Sequence, residues 1–393
     1  MTDRIESQQI LLAADDLNIF NSNTEYSPGH LLLPERIPEL DGLRGMAALM
    51  VVFHHLSQSF PGDATNRLLV VWLKLTHAGW IGVDIFFALS GFLITRNLIE
   101  TRQAKYYYRN FYARRVLRLA PPYLITLGLV ALFVPQSHAF LILSFFYLAN
   151  FAQSFGISMV YGPLWSLAVE EHFYLIWPWL IRFLHRRTFF GIAIAVCVLT
   201  PILRYIAQVY AFFNPYVSWF RFDGLLWGAL LAILVTSPNS NRELVQWWST
   251  VIGLIGLLGF IVGAFAGSMG RHSIIGSTFV FGLVAMATSG FIGHAMLGTF
   301  RRAFALFRHP LARFLGNISY WVYLFHYLMI LTFMRFFVSW GGNLKAYLGV
   351  AFIVLATSIL SGVIVRQVVE KPALSLKRYF RSTPEAKLRK KEA

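Results

Sequence analysis

The first candidates for chemistry are an arginine and a histidine in the apolar segment that follows residue 40. Arg44 and His55 are eleven residues apart. In an α-helix, eleven residues bring the side-chain direction back to within about 20° and rise about 16 Å, so both lie on one face. A half-buried histidine can act as a general base near neutral pH. The same spacing allows a structural alternative, in which Arg44 extends to a membrane interface and His55 hydrogen-bonds a neighbouring helix.

A second candidate site is the cluster of arginines in the run 112–123. Arg115 and Arg118 are three residues apart and share a helix face, and Arg114 precedes them. Guanidinium groups bind phosphate through paired hydrogen bonds, so this face could hold the phosphates of a nucleotide or coenzyme. The alternative is an anchor that contacts anionic lipid headgroups.

Two adjacent carboxylates, Glu170 and Glu171, lie in the apolar run 164–175. They point to different faces of a helix, so one of them could be buried beside His55 and orient its ring, while the alternative is that water solvates both. Arg221 and Asp223 flank Phe222 and could pair with each other. Asp84 and His326 are further polar residues in apolar runs. For each of them, an interhelical hydrogen bond is as good an explanation as a role in catalysis.

The composition identifies the elements that must position these residues. The chain has 393 residues, of which 57% are hydrophobic and 13% are charged, whereas a soluble domain carries about 25% charged residues. One cysteine, Cys197, excludes a disulfide framework. These values exclude a disordered chain and an ordinary soluble enzyme, and they predict a polytopic membrane protein.

Lysine and arginine in short loops set the orientation of membrane helices. Segments 96–118, 182–187, 237–246 and 294–313 and the tail from residue 366 hold 24 of them, against 4 in the remaining short loops, so the basic segments are expected to be cytosolic. The apolar stretches are 43–59, 79–99, 119–135, 139–155, 164–182, 188–210, 219–236, 247–267, 274–293, 314–339 and 346–367.

An even number of spans must separate two cytosolic segments, yet three stretches lie between 96–118 and 182–187. The stretch 139–155 carries Asn150 and Gln153, and we therefore expect it to be a re-entrant or interfacial piece. The alternative is that one basic loop breaks the charge rule. The sequence thus predicts an all-α bundle of about ten transmembrane helices with both termini cytosolic.

Three regions are expected along the chain. Residues 1–38 form a polar cytosolic tail without the features of a signal peptide, 39–373 form the membrane domain, and 374–393 form a basic cytosolic tail. Asp41 is expected to cap the first span. The histidines lack metal-ligand spacing, so no metal is expected. The excess of basic residues is attributed to the orientation of the helices in the membrane rather than to binding of nucleic acid.

Taken in order, these fragments resemble the acyltransferase-3 family of integral membrane O-acyltransferases over residues 37–373. The matching fragments are Asp-Gly-Leu-Arg at 41–44, Arg-x10-His at 44–55, Gly-Val-Asp at 82–84, Phe-Phe at 86–87, Ser-Gly-Phe at 90–92, Arg-x-x-Arg at 115–118, Trp-Ser-Leu-Ala-Val-Glu-Glu at 165–171, Ile-Ser-Tyr at 318–320, His326 and Val-Glu-Lys-Pro at 369–372.

The resemblance implies transfer of an acyl group, with acetyl expected, from cytosolic acyl-CoA to a hydroxyl group. It implies that Arg44 and His55 are catalytic and that Arg115 and Arg118 help to hold the donor, with Arg114 beside them. The acceptor would be a carbohydrate, a glycolipid or a secondary metabolite. Some members carry a fused extracytoplasmic domain, and this chain is expected to be the stand-alone type in a bacterial inner membrane.

Two other classes of function stay open at this point. In a secondary transporter, Arg44, His55 and the glutamate pair would form a proton or anion path. In an assembly subunit of a glycan-export complex, His55 would be dispensable. Consumption of a thioester distinguishes the enzyme from both.

Overall fold

The computed structural model describes residues 34, 36–60, 67–266, 273–339 and 344–380, and every regular element among them is a helix. The expected N-terminal tail and most of the C-terminal tail lie outside the described residues. The helices are α1 Pro38–Gln58, α2 Arg67–His77, α3 Gly82–Glu100, α4 Tyr107–Phe133, α5 His138–Phe145, α6 Leu164–Phe183, α7 Arg186–Val209, α8 Phe222–Val235, α9 Arg242–Phe265, α10 Ile274–Leu297, α11 Ala305–Arg308, α12 Pro310–Phe333, α13 Arg335–Ser339, α14 Leu344–Val365 and α15 Lys371–Ser375.

Seven helical stretches of the described chain are long and apolar enough to cross a membrane. They comprise α3 with the preceding α2, and α4, α7, α9, α10, α12 and α14. Two further helices, α1 with 21 residues and α6 with 20, have the length of a span but carry the charged candidates. The apolar helix α8 adds 14 residues. The prediction of an all-α polytopic bundle is confirmed.

The stretch 139–155 is not a membrane-spanning helix. It is divided into α5, which has 8 residues, and a 3-10 helix at Ala149–Phe155. A helix as short as α5 rises only about 12 Å, whereas a span needs about 30 Å. The break that was inferred from charge parity is therefore confirmed.

Glycines bring the helices that carry the candidate residues into backbone contact. A Cβ atom on Gly91 of α3 would lie 1.8 Å from the carbonyl oxygen of Leu225 in α8, and one on Gly228 of α8 would lie 1.9 Å from that of Ala88. On α12, a Cβ on Gly316 would lie 1.8 Å from the carbonyl oxygen of Asp41. Small residues permit such close approach in membranes, and the result is a tightly packed frame around the candidate site.

The start of α1 differs from the expectation that Asp41 caps it. The helix begins at Pro38 after Ile37, so Asp41 lies inside the first turn. Its carboxylate oxygen Oδ2 instead accepts hydrogen bonds from Nε and Nη2 of Arg36, at 3.0 and 2.7 Å. The N-cap prediction is wrong because a proline, whose missing N–H costs nothing in the first turn, starts the helix earlier.

Candidate active site

Three cavities lie in series through the bundle, and shared wall residues connect them. We call them the basic mouth, the middle cavity and the histidine chamber. Arg44, Arg118, Ser319 and Tyr320 line both the mouth and the middle cavity. Val83 and Tyr323 line both the middle cavity and the histidine chamber. The cavities therefore adjoin one another in a series that leads from a cluster of cations to a cluster of histidines.

The middle cavity has about 650 Å³ of empty volume, part of it open to solvent, and gathers side chains from five helices, α1, α3, α4, α6 and α12. Arg44 comes from α1, while Arg115 and Arg118 come from α4. The Arg115 guanidinium lies over the ring of Tyr174 on α6, 4.8 Å from its centroid. Because Arg115 and Arg118 are one helical turn apart, both reach the middle cavity, which is suited to an anionic ligand.

Arg114 takes no part in the lining of these three cavities. Its Nε donates a 2.6 Å hydrogen bond to the carbonyl oxygen of Phe380 near the C-terminal end of the described chain. Arg114 is one helical turn from Arg118, so helix phase alone does not separate the two, and it is the hydrogen bond to Phe380 that directs the Arg114 side chain elsewhere. The structure thus separates Arg114 from the two arginines with which it was grouped.

His55 belongs to a hydrogen-bonded chain that defines which ring nitrogen is basic. The Nδ1 of His326 on α12 lies 3.0 Å from the carbonyl oxygen of Val322. A carbonyl oxygen only accepts, so His326 carries its proton on Nδ1 and accepts through Nε2. That Nε2 lies 2.9 Å from Nδ1 of His55, so His55 donates from Nδ1. These assigned tautomers leave Nε2 as the proton-accepting nitrogen of His55.

Aromatic side chains and a second histidine complete the histidine chamber. Trp80, Trp165 and Tyr216 line it together with His54 and His55. The Nδ1 of His54 donates a 2.6 Å hydrogen bond to the carbonyl oxygen of His77. The Nε2 of His55 lies 3.8 Å from the position of a Cβ on Gly162. Gly162 belongs to the connection that follows the broken segment and leads into α6, so this connection lies next to the His55 ring.

The residues that line the histidine chamber include His55 but neither Glu170 nor Glu171, which differs from the expectation that one glutamate lies beside His55. Glu170 lines the middle cavity. Its Oε1 accepts a 3.0 Å hydrogen bond from Ser90, and its Oε2 accepts a 2.7 Å bond from Tyr174. Glu171 follows Glu170 on α6, points about 100° away from it, and lines none of the three cavities. The ring of His55 is instead held from α12 by His326, a polar residue whose partner the sequence did not reveal.

Two buried ion pairs lie beside the chamber, and their partners differ from the predicted pair Arg221–Asp223. Arg204 on α7 makes a bidentate contact with Asp223, at 2.9 and 2.8 Å. Arg221 donates a 2.6 Å hydrogen bond to Oδ1 of Asp84 on α3. Arg221 and Asp223 stand on either side of the α8 N-terminus, so their side chains diverge toward different helices. Arg221 also lines the histidine chamber.

Comparisons with known proteins agree on one group of enzymes. A family model described as an acyltransferase domain matches residues 37–366. The O-acetyltransferase OatA of Staphylococcus aureus is 28% identical over 359 residues, which are 82% of this chain and 55% of that protein. The peptidoglycan O-acetyltransferase OatA of Listeria monocytogenes is 36% identical over 162 residues, which are 36% of this chain and 24% of that protein.

The chain thus spans about half or less of the length of these curated relatives. No solved structure matches it.

Proposed function

The chain belongs to the acyltransferase family whose domain model covers residues 37–366, and from this premise we propose that it is a membrane O-acetyltransferase. It would take an acetyl group from acetyl-CoA at the basic mouth and deliver it to a hydroxyl group in the histidine chamber. The proposed acceptor class is a carbohydrate, because one similar protein is named a peptidoglycan O-acetyltransferase. The single observation that carries the proposal is the series of adjoining cavities that leads from Arg44 and Arg118 to His55.

The donor would lie along this series of cavities with its charged end in the mouth. Arg44, Arg115 and Arg118 supply guanidinium groups for the phosphates. The middle cavity then offers apolar walls, including Phe86, Phe87 and Leu119, for the acyl-bearing arm. This arrangement would bring the thioester to the boundary at Val83 and Tyr323, which line both the middle cavity and the histidine chamber.

His55 would act as general base at that point. Its Nε2 accepts the proton of the acceptor hydroxyl while the hydroxyl oxygen forms a bond to the acetyl carbonyl carbon. The C–S bond of the thioester breaks as the tetrahedral intermediate collapses. The proton then passes from Nε2 to the sulfur, so that CoA leaves as the thiol and the acetyl ester remains on the acceptor.

The proposal is tested with the purified full chain in lipid nanodiscs. Release of free thiol from acetyl-CoA is measured with and without a peptidoglycan-derived oligosaccharide, and the product is examined for an acetyl ester by mass spectrometry. We expect one ester to form for each thiol released. If the protein neither consumes nor binds acetyl-CoA, the enzyme proposal fails and an ion or anion path through the same residues becomes the better explanation.

Replacing Arg118 by alanine is expected to raise the KM for acetyl-CoA about tenfold or more and to change kcat little. A hydrogen bond between charged partners contributes about 1.5–3 kcal/mol, and Arg118 lines the mouth, away from the reacting atoms. Steady-state kinetics with varied acetyl-CoA measure this effect. Arg302→Ala, at an exposed arginine outside the three cavities, should leave KM unchanged; an equal KM for both variants would remove Arg118 from the donor site.

Replacing His326 by leucine is expected to lower kcat by about 10- to 100-fold with little change in the KM for acetyl-CoA. The substitution removes the acceptor for the Nδ1 proton of His55, so the ring loses its orientation. His326→Gln should recover most of the activity, since its amide oxygen can accept the same bond. Loss of folded protein in both variants, seen by size-exclusion chromatography, would instead indicate a packing role.

A further inference from the structure

Residues 371–380, which we call the C-terminal strap, lie beyond the segment matched by the family model but reach the basic mouth. The strap consists of α15 and a 3-10 helix at Leu376–Phe380. Leu374 and Lys377 of the strap line the mouth together with Arg44 and Arg118. A segment outside the family match therefore contributes a cation to the place where the donor would enter.

The strap is fastened to the start of α4 at its far end. Arg114 donates its 2.6 Å hydrogen bond to the carbonyl oxygen of Phe380, and the Arg109 guanidinium lies 5.9 Å from the centroid of the Phe380 ring. Lys377 is three residues before this attachment and lines the mouth, whereas its neighbour Arg378 does not. The two contacts thus place Lys377, and not Arg378, over the mouth.

The mouth carries more positive than negative charge. Its cations are Arg44, Arg118, Arg366 and Lys377, and its carboxylates are Asp41 and Glu370. Asp41 is already paired with Arg36 at 2.7 Å. Within the part of the chain that the structure describes, none of the four cations forms an ion pair with a carboxylate.

Besides these four cations, Arg115 lines the adjoining middle cavity. Such a concentration of unpaired cations around a cavity binds multiply charged anions.

The position of each cation along the series of cavities indicates which anionic group of the donor it would bind. Arg44 and Arg118 also line the middle cavity, whereas Lys377 and Arg366 line only the mouth. In coenzyme A the diphosphate adjoins the pantetheine arm, and the 3′-phosphate lies beyond it on the ribose. The inner arginines therefore suit the diphosphate, and the outer pair suits the phosphate monoester. An ammonium group can serve there as a point charge without a fixed hydrogen-bonding plane.

We propose that the C-terminal strap completes the donor site by presenting Lys377 to the 3′-phosphate of acyl-CoA, while Arg114 positions the strap instead of binding the donor. This inference rests on the proposed function, since it takes acyl-CoA as the donor. It adds a specificity contact that distinguishes CoA from its 3′-dephospho form.

The test compares two ligands and four proteins in nanodiscs of phosphatidylcholine. Dissociation constants for CoA and 3′-dephospho-CoA are measured by isothermal titration calorimetry for the wild type and for Lys377→Gln, Lys377→Arg and Arg378→Gln. We expect Lys377→Gln to weaken CoA binding about tenfold and to leave binding of the dephospho form within about twofold. Lys377→Arg should retain the preference for CoA. Arg378→Gln removes the same charge one residue away and should match the wild type.

The outcomes separate this inference from the proposed function. If the wild type binds neither CoA form, the proposed function itself fails. If it binds both and Lys377→Gln weakens them equally or not at all, only the assignment of the 3′-phosphate is overturned. A lipid headgroup has similar chemistry, so the titrations are repeated with phosphatidylglycerol added. A loss of CoA affinity that depends on this lipid and on Lys377, without a preference between the two CoA forms, would assign the site to lipid.

Discussion

His55→Ala is expected to lower the rate of acetyl transfer by about 10²–10⁴-fold, which is the usual contribution of a positioned general base. The ring has its Nδ1 committed to His326 at 2.9 Å, so only Nε2 can accept a proton. Alanine removes this nitrogen, and water in the chamber is a far weaker base. Because the phosphates would be held in the mouth, the dissociation constant for acetyl-CoA should change by less than about threefold.

Single-turnover assays with preloaded acetyl-CoA measure the chemical step, and calorimetry measures donor binding in the same nanodiscs. His185→Ala is the matched control, because it is the same substitution at an exposed histidine outside the three cavities. If His55→Ala keeps a tenth or more of the wild-type rate, another group accepts the proton and the proposed role of His55 is wrong. A large loss of donor affinity would show instead that His55 contacts the donor in its ground state.

Arg204→Ala is expected to destabilise the fold by about 3–5 kcal/mol, because it leaves the carboxylate of Asp223 buried without its counter-charge. Both side chains of the pair are 0% exposed. Arg204 also donates hydrogen bonds to the carbonyl oxygens of Phe220 and Thr278, at 2.8 and 3.0 Å. The pair therefore joins α7, α8 and α10 in a region where an isolated charge is costly.

Thermal unfolding in detergent, detected by the loss of the monodisperse peak, measures this effect. The double variant Arg204→Met with Asp223→Leu should recover much of the stability, since it removes both charges and keeps apolar volume. Arg96→Ala is the comparison, because Glu100 in that pair is 46% exposed and exposed pairs contribute about 1 kcal/mol or less. Equal effects of Arg204→Ala and Arg96→Ala would contradict a structural role for the buried pair.

The sequence predicts those features that depend on the geometry of a single helix. Charge parity predicted that one of three stretches between two basic segments is not a full span, and Asn150 and Gln153 identified 139–155 as that stretch. The three-residue spacing of Arg115 and Arg118 correctly indicated one shared face. Those inferences need only the length of a helix, the direction of each side chain around the helix axis, and the rule that basic loops stay on the cytosolic side of the membrane.

Contacts between helices depend on tertiary packing and could not be predicted from one sequence. Asp223 had a neighbouring arginine at position 221, yet its partner is Arg204 on another helix. His326 is 271 residues from His55, and nothing in its own helix indicates that contact. Glu170 looked suitable as a partner for His55, but the two lie on different cavities because α6 turns that residue toward Ser90. The direction of a side chain around its own helix axis does not determine which neighbouring helix that side chain contacts.

The boundary between the middle cavity and the histidine chamber has a consequence for the energy supply of the cell. There Tyr323 makes a 2.6 Å hydroxyl-to-hydroxyl hydrogen bond with Ser166, and Val83 also lines both cavities at this point. A bacterial plasma membrane sustains a proton-motive force that any permanently open pore would dissipate. We expect this contact to separate the two cavities while no donor is bound, which would limit leakage of protons to the moments when a donor arm passes through. Many copies of the protein could then reside in the membrane without discharging its ion gradient.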